Sequence, residues 1–245
     1  MFRFAVAILL TLSATLAHAE QVVPLTIGGT EVRIAMQDGY LRASEKAPAL
    51  FATSAAALPP AIRLVEAVLA EGDLKRMLAG QGMALPYLQV QAVRDAEALD
   101  FSLEEWRALQ PVLAKQMGAV DLDAQSQALQ SGMGERMGQA SGGPVEVKFG
   151  EIGKPMVYSQ VGDVIRYVMR LPINGTVHGQ DVQMVLDCAG AALVLHGKLL
   201  MINTYLREDG QADASADIRA FLDAAVERAQ ALNAQAAPAT PPKAG

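Results

Sequence analysis

The chain has 245 residues and a formal charge of −6, without a basic stripe. This composition excludes the usual nucleic-acid-binding surface, whose affinity comes mainly from Lys and Arg neutralising phosphates. Hydrophobic residues make up 51% of the chain and aromatic residues only 5%, so the core must be aliphatic, while the single cysteine excludes an internal disulfide.

Residues 1–19 have the parts of a secretory signal peptide. Arg3 is the positive charge, an apolar run follows, and Ala17, His18 and Ala19 form a small-x-small cleavage site. The apolar run is shorter than the roughly 20 residues that span a bilayer, although a retained anchor is the alternative. We therefore expect cleavage after Ala19, a periplasmic location and no stable membrane span in the mature chain.

The N-terminal part predicts strands and helices. Residues 25–36 alternate around Gly28 and Gly29, which indicates a hairpin with a two-residue turn. After an irregular or partly helical connection over 40–58, the pair Pro59–Pro60 favours the start of a helix. The apolar side of that helix would be Ile62, Val65, Val68 and Leu69. A short helix over 74–78 and a strand over 85–93 complete this part.

The central part of the chain is predicted to be helical, and it begins with the clearest local motif in the sequence. Ser102 and Glu105 have the spacing of a capping box, and Phe101 and Trp106 have that of a hydrophobic staple. Pro111 predicts that this helix is kinked or divided. A second helix is expected from about 122 to 137, and residues 140–144 are the preferred position for a hinge.

From residue 145 the pattern changes to antiparallel strands that continue to 206. Asn174–Gly175 indicates a hairpin turn, and a second tight turn is predicted at His196, Gly197 and Lys198. The helix that follows has Ile218, Phe221, Leu222, Ala225, Val226, Ala229 and Leu232 on one stripe. We expect this stripe to cover the preceding hairpin.

The C-terminal layout resembles the PsbP-like fold, which includes an extrinsic protein of photosystem II, a Ran-binding nuclear protein and bacterial periplasmic relatives. The resemblance lies in the Gly197–Lys198 tip, a strand ending in Tyr205, an acidic loop, a closing helix near Ile218 and an N-terminal strand ending at Asp38–Tyr40. It implies an antiparallel sheet with helices on both faces, an α/β/α sandwich. It also implies members that mostly bind or assist rather than catalyse.

Few residues have the type and spacing of a catalytic or metal-binding site. His178 and Asp181 could supply two metal ligands but have no third partner, and His196 is expected at a hairpin tip. The segment 150–154 resembles a phosphate-binding loop only in part. Cys188 lies in an apolar run and is expected to be a buried, inert thiol. Arg166 and Arg170 would either clamp an anion or line an exposed strand face. We therefore assign no catalytic, cofactor or metal residue.

Together these features predict one α+β domain over 20–235 and a disordered Ala- and Pro-rich tail over 236–245. The expected function is that of an exported, non-enzymatic accessory or binding protein, with an envelope protein as a partner and its oligomeric state open. The alternative is a periplasmic hydrolase or small-ligand-binding enzyme. Its site would be assembled from His178, His196, Asp187, Arg166 and Arg170.

Overall fold

A computed structural model describes residues 20–78, 81, 83–119, 127, 130–177, 179–207 and 214–235. The strands are β1 (Gln21–Ile27), β2 (Thr30–Met36), β3 (Tyr40–Arg42), β4 (Ile62–Ala70), β5 (Tyr87–Val93), β6 (Val145–Phe149), β7 (Met156–Ser159), β8 (Val164–Val177), β9 (Gln180–Leu195) and β10 (Lys198–Arg207). The helices are α1 (Ala43–Lys46), α2 (Pro48–Ala57), α3 (Glu71–Leu78), α4 (Leu103–Gly118), α5 (Met133–Ser141) and α6 (Ala214–Gln235), with a 3₁₀ turn at Arg94–Ala96.

The strands form two antiparallel sheets. The hairpin β1–β2 stands by itself, and eight strands form the main sheet in the order β3-β4-β5-β10-β9-β8-β6, with β7 also paired to β8. The predicted mixed α and β class is confirmed, as is the antiparallel pairing of residues 145–206. Strands β3, β4 and β5 join this part through the β5–β10 pair, in which Gln91 lies opposite Met201.

The buried side chains form two clusters. The larger one joins the β1–β2 hairpin, the centre of the main sheet and α6. The smaller one joins Leu64, Ala67 and Leu69 of β4 to side chains of α1 and α2. Val68 belongs to the larger cluster, so consecutive residues of β4 are buried on opposite sides of the strand.

Helix α6 covers the β9–β10 hairpin, as the sequence predicts. Ile218, Leu222, Val226 and Ala229 are buried on one stripe, and the helix packs on β2, β9 and β10. Burying a side chain such as that of Leu222 stabilises the fold by roughly 1.5–3 kcal/mol. Near the C-terminal end, Asn233 Nδ2 donates to the carbonyl oxygen of Arg33 at 2.7 Å, which joins the helix to β2.

The helix predicted after Pro59–Pro60 is wrong, because residues 62–70 are strand β4. The register between β4 and β5 shifts between Leu64 and Glu66, as at a β-bulge. A bulge moves the alternation of side chains by one residue, and burial on both sides adds apolar residues. Together these two effects produce an apolar spacing that imitates a helix.

The hairpin predicted at Asn174–Gly175 is also wrong. Strand β8 continues through both residues, and the chain turns between the paired residues Val177 and Gln180. A Cβ atom on Gly175 would lie 1.9 Å from the carbonyl oxygen of Glu146. The glycine is therefore needed for the close approach of β6 and does not mark a turn.

In the helical centre the capping box is confirmed. Ser102 Oγ accepts from the Glu105 amide at 3.2 Å, and the Ser102 amide donates to Glu105 Oε2 at 2.8 Å. Helix α4 is not divided, because it continues through Pro111. No described helix is long and apolar enough to cross a membrane.

The second central helix, predicted over 122–137, lies partly outside the described residues. The described part contradicts a continuous helix, because residues 131–132 form a turn in which Gly132 takes a φ of 68°, and α5 begins anew at Met133. Helix α5 ends at Ser141, and Gly142 takes a φ of 76° before β6, so the predicted break at 141–144 is confirmed. A hinge at this break stays a prediction. The predicted signal segment 1–19 and tail 236–245 also lie outside the described residues.

Candidate functional site

The structure does not bring the four described candidate residues, Arg166, Arg170, Asp187 and His196, together at one place. His196 lies at the β9–β10 turn, as predicted, with its Nδ1 2.8 Å from the Glu31 carbonyl oxygen and its Nε2 2.9 Å from that of Asn233. The ring therefore joins the turn to β2 and to the end of α6. His178 lies outside the described residues.

Arg166 is held against α6. Its Nε lies 2.9 Å from Asp223 Oδ1, as an ion pair without an aligned hydrogen bond, and its Nη1 donates to the Val161 carbonyl oxygen at 3.1 Å. The side chain is only 11% exposed, so the prediction of an open strand face is wrong for this residue. Because its charge is already paired, Arg166 is a poor anion ligand.

Arg170 and Asp187 do share a site. They lie directly opposite each other in the β8–β9 register, and both line a cleft of about 280 Å³. Lys154 adds a third charged side chain, and the apolar lining residues are Met156, Val168, Met169 and Ile218. Gly153 and Cys188 complete the described lining. Apolar walls with few polar groups are typical of a small-ligand site, and the volume of this cleft lies just below the usual range of about 300–1,000 Å³.

Cys188 is buried, as predicted, and burial raises the pKa of its thiol to about 12. It belongs to a cross-strand row in which it lies between Met169 and Tyr205, with Tyr87 beyond. The two tyrosine rings stack with centroids 5.0 Å apart, and burial raises the pKa of Tyr205 well above its usual value. At neutral pH these groups are uncharged, so the row offers hydrogen bonds but no thiolate nucleophile.

A buried polar cluster adjoins this row, and the sequence analysis missed it. Tyr167 Oη donates to Asn203 Oδ1 at 2.7 Å, and Gln91 Nε2 donates to Gln89 Oε1 at 2.7 Å. Amide side chains are rarely buried unless they are paired, and the Tyr167–Asn203 bond joins β8 to β10 across β9. The available signal was the presence of Gln and Asn inside strands that otherwise read as buried.

Two buried charges also have structural partners. Lys198 Nζ donates to the carbonyl oxygens of Glu97 and Leu99, both at 3.1 Å, and lies 2.8 Å from Asp100 Oδ1. Glu66 is fully buried and accepts from Arg42 Nε at 2.8 Å and from Ser44 Oγ at 2.6 Å. Removing one partner of such a buried charge would be costly, because the charge would be left buried without compensation.

The partial phosphate-loop pattern at 150–154 does not form a phosphate cradle. The amide of Gly150 donates to Pro172 O at 2.9 Å, and that of Gly153 donates to Arg170 O at 3.1 Å. Both amides are therefore used in pairing with β8. The single tryptophan, Trp106, is fully buried, and its Nε1 donates to Asp163 O at 2.7 Å.

A second cavity of about 310 Å³ is lined by Glu20, Gln37, Asp38 and Arg228, with Arg228 Nε 3.1 Å from Glu20 Oε1. Within the described ranges, no three side chains of His, Cys, Asp or Glu are grouped closely enough to hold a metal ion. Comparisons with family models, with curated proteins and with solved structures find no match.

Proposed function

We propose that this protein is an exported, non-enzymatic accessory or binding protein of the bacterial periplasm, and that it holds a small ligand in the cleft beside β8 and β9. The observation that carries the proposal is the lining of that cleft. Its walls are largely apolar, and its charged groups, Lys154, Arg170 and Asp187, suit orientation of a ligand. The buried thiol nearby, with its pKa raised to about 12, favours binding over nucleophilic chemistry.

The proposal includes a fold and a location. The fold is an α/β/α sandwich of the PsbP-like kind, supported by the two apolar clusters that meet β4 from opposite sides. The location follows from the signal-like pattern of residues 1–19, with cleavage after Ala19. N-terminal sequencing of the protein recovered from the periplasm tests the location, and a start other than Glu20 or its close neighbours contradicts it.

The function is tested by native mass spectrometry of residues 20–245 purified from the native envelope. We expect a small molecule to co-purify and to be lost from Gly153→Leu, whose new side chain enters the lining of the cleft. Gly72→Leu is the matched control, because a Cβ on Gly72 meets nothing within 4 Å, whereas one on Gly153 contacts Arg170 Cβ at 3.6 Å. A ligand-free wild-type protein, or equal retention by both variants, contradicts the proposal.

The alternative, a periplasmic hydrolase or small-ligand-binding enzyme, is favoured by one observation. Two of its five candidate residues, Arg170 and Asp187, line the same cleft. A screen with esterase, phosphatase, peptidase and glycosidase substrates separates the two functions. Turnover that Asp187→Asn abolishes, with folding unchanged, would establish the enzyme and overturn the binding protein.

An envelope protein is the proposed macromolecular partner of an accessory role. Crosslinking in intact cells, followed by purification of the tagged chain, tests this part of the proposal. We expect one envelope protein to be recovered repeatedly. Recovery of the tagged chain alone contradicts an accessory role and leaves a solitary binder.

A further inference from the structure

We infer that the outer face of helix α4 is a docking surface for a second copy of this chain, whose own α4 packs against it in the antiparallel direction. This inference goes beyond the proposed binding function, because it uses neither the cleft nor its ligand. Three properties of α4 carry it: the position of its buried side, the apolar centre of its outer face and the order of the charges along that face.

Helix α4 buries only one of its sides. Trp106 and Gln110 are buried one turn apart, and Leu113 and Met117 continue the same stripe as partly buried side chains. Residues three or four positions apart share one side of a helix, so this stripe leaves the opposite side open. The outer face consists of the exposed residues Glu104, Glu105, Ala108, Leu109, Pro111, Val112, Lys115 and Gln116.

The centre of the outer face is apolar. Its two middle turns hold Ala108, Leu109, Pro111 and Val112. Single exposed apolar side chains are ordinary, but four of the eight large ones that are exposed in the described part of the chain lie between Leu99 and Val112. Such a concentration is typical of an interaction site, and a partner that covers it removes apolar surface from water.

The charges at the two ends of the outer face are opposite. Glu104 lies in the first turn of α4 and Lys115 in the last, and neither has an ion-pair partner within the described residues. The spacing from Glu104 through Ala108 and Pro111 to Lys115 is four, three and four residues, which is the same from either end. A two-fold axis through its middle therefore places Glu104 beside Lys115 of the partner subunit, twice in the dimer. A parallel pair would instead bring like charges together at both ends.

The contact predicts weak association. Helix α4 has 16 residues and is therefore about 24 Å long. One pair of helices of this length covers less surface than the roughly 800 Å² per partner of a standard interface. We therefore expect a dimer that forms only at protein concentrations on the order of 0.1 mM.

The first test is sedimentation velocity of residues 20–245 over a range from about 5 μM to about 500 μM, which spans the expected dissociation constant. We expect the average mass to rise from that of a monomer towards that of a dimer. Val112→Asp should stay monomeric, because it introduces a charge into the apolar centre. Val22→Asp is the matched control and should associate like the wild type, since Val22 is also exposed, at 44%, but lies on β1.

Exchange of the two charges tests the antiparallel order. Glu104→Lys or Lys115→Glu by itself places like charges opposite each other and should weaken the dimer about two- to thirtyfold, the range for the loss of two exposed ion pairs. An equal mixture of these two variants should restore association, because each mixed pair again has opposite charges at both ends. Circular dichroism and the Tm of each variant show whether its fold is unchanged.

The outcomes are independent of the ligand tests. A wild-type chain that stays monomeric over the whole range overturns the inference, as does a dimer that Val112→Asp leaves intact. A dimer that Val112→Asp abolishes but the charge mixture does not restore overturns the antiparallel order. Dimerisation only after removal of residues 236–245 would make the tail the occupant of the outer face. A monomeric chain whose envelope crosslink is lost in Val112→Asp would make an envelope protein the occupant. Either result overturns the second copy.

Discussion

Replacing Gly190 with alanine places a methyl group where the Tyr167 ring lies. The new Cβ would stand 2.2 Å from Tyr167 Cζ and 2.4 Å from Asn203 Oδ1. Carbon atoms in contact are normally about 3.5–4.0 Å apart, so the ring must move by more than about 1 Å. That movement breaks the buried hydrogen bond of 2.7 Å between Tyr167 and Asn203.

Two costs follow from this displacement. Overpacking of a filled core costs about 1–3 kcal/mol, and leaving buried hydrogen-bonding groups unpaired costs about 1–3 kcal/mol more. We therefore expect Gly190→Ala to lower the free energy of unfolding by about 2–6 kcal/mol. For a domain of this size, the loss corresponds to a fall in Tm of about 2–4 °C for each kcal/mol.

The assay is equilibrium urea denaturation of four proteins: wild type, Gly190→Ala, Tyr167→Ala and the double variant. Tyr167→Ala is itself destabilising, because it removes a large buried side chain. It also removes the ring and leaves only the Asn203 side chain, whose Oδ1 stands 2.4 Å from the new Cβ and is no longer held by Tyr167, so Gly190→Ala should cost less in that background than in the wild type. Equal costs in the two backgrounds would refute the packing of Tyr167 over Gly190.

Two further predictions concern local features. Ser102→Ala should lower the free energy of unfolding by about 1 kcal/mol through loss of the helix cap, while Glu104→Ala, on the same turn but outside the capping pair, should change it less. Equal effects in urea denaturation would contradict the capping role. Because burial raises the pKa of Cys188 to about 12, the folded protein should resist iodoacetamide at pH 8 and react once denatured. The measurement is the rate of alkylation, followed by mass spectrometry. Alkylation of the folded protein at the rate of an exposed thiol would contradict this burial.

Local patterns were enough to predict several elements. The hairpin around Gly28–Gly29 and the turn at His196–Gly197 follow from backbone angles that glycine adopts easily, and both are confirmed. The capping box at Ser102 needs only residues within one helical turn. The stripe of α6 is regular because its buried face, from Ile218 to Ala229, meets one continuous surface.

Contacts between distant residues decided the rest. Strand β4 reads as a helix because a bulge and burial on two sides obscure its alternation, and the burial depends on elements far away in the chain. Gly175 reads as a turn, whereas its lack of a Cβ is needed for the approach of β6 from about thirty residues earlier. Neither cause can be recognised from the residues that are neighbours in sequence.

The candidate site, too, could be predicted only in part from the sequence. By itself the sequence determined which groups exist: one thiol, few histidines and an aliphatic core. The tertiary structure decided which of them meet, because Arg170 and Asp187 become neighbours only through the β8–β9 register, and Lys154 reaches them only through its loop on β8. Side-chain chemistry is local, whereas a binding site depends on the pairing of strands distant in sequence.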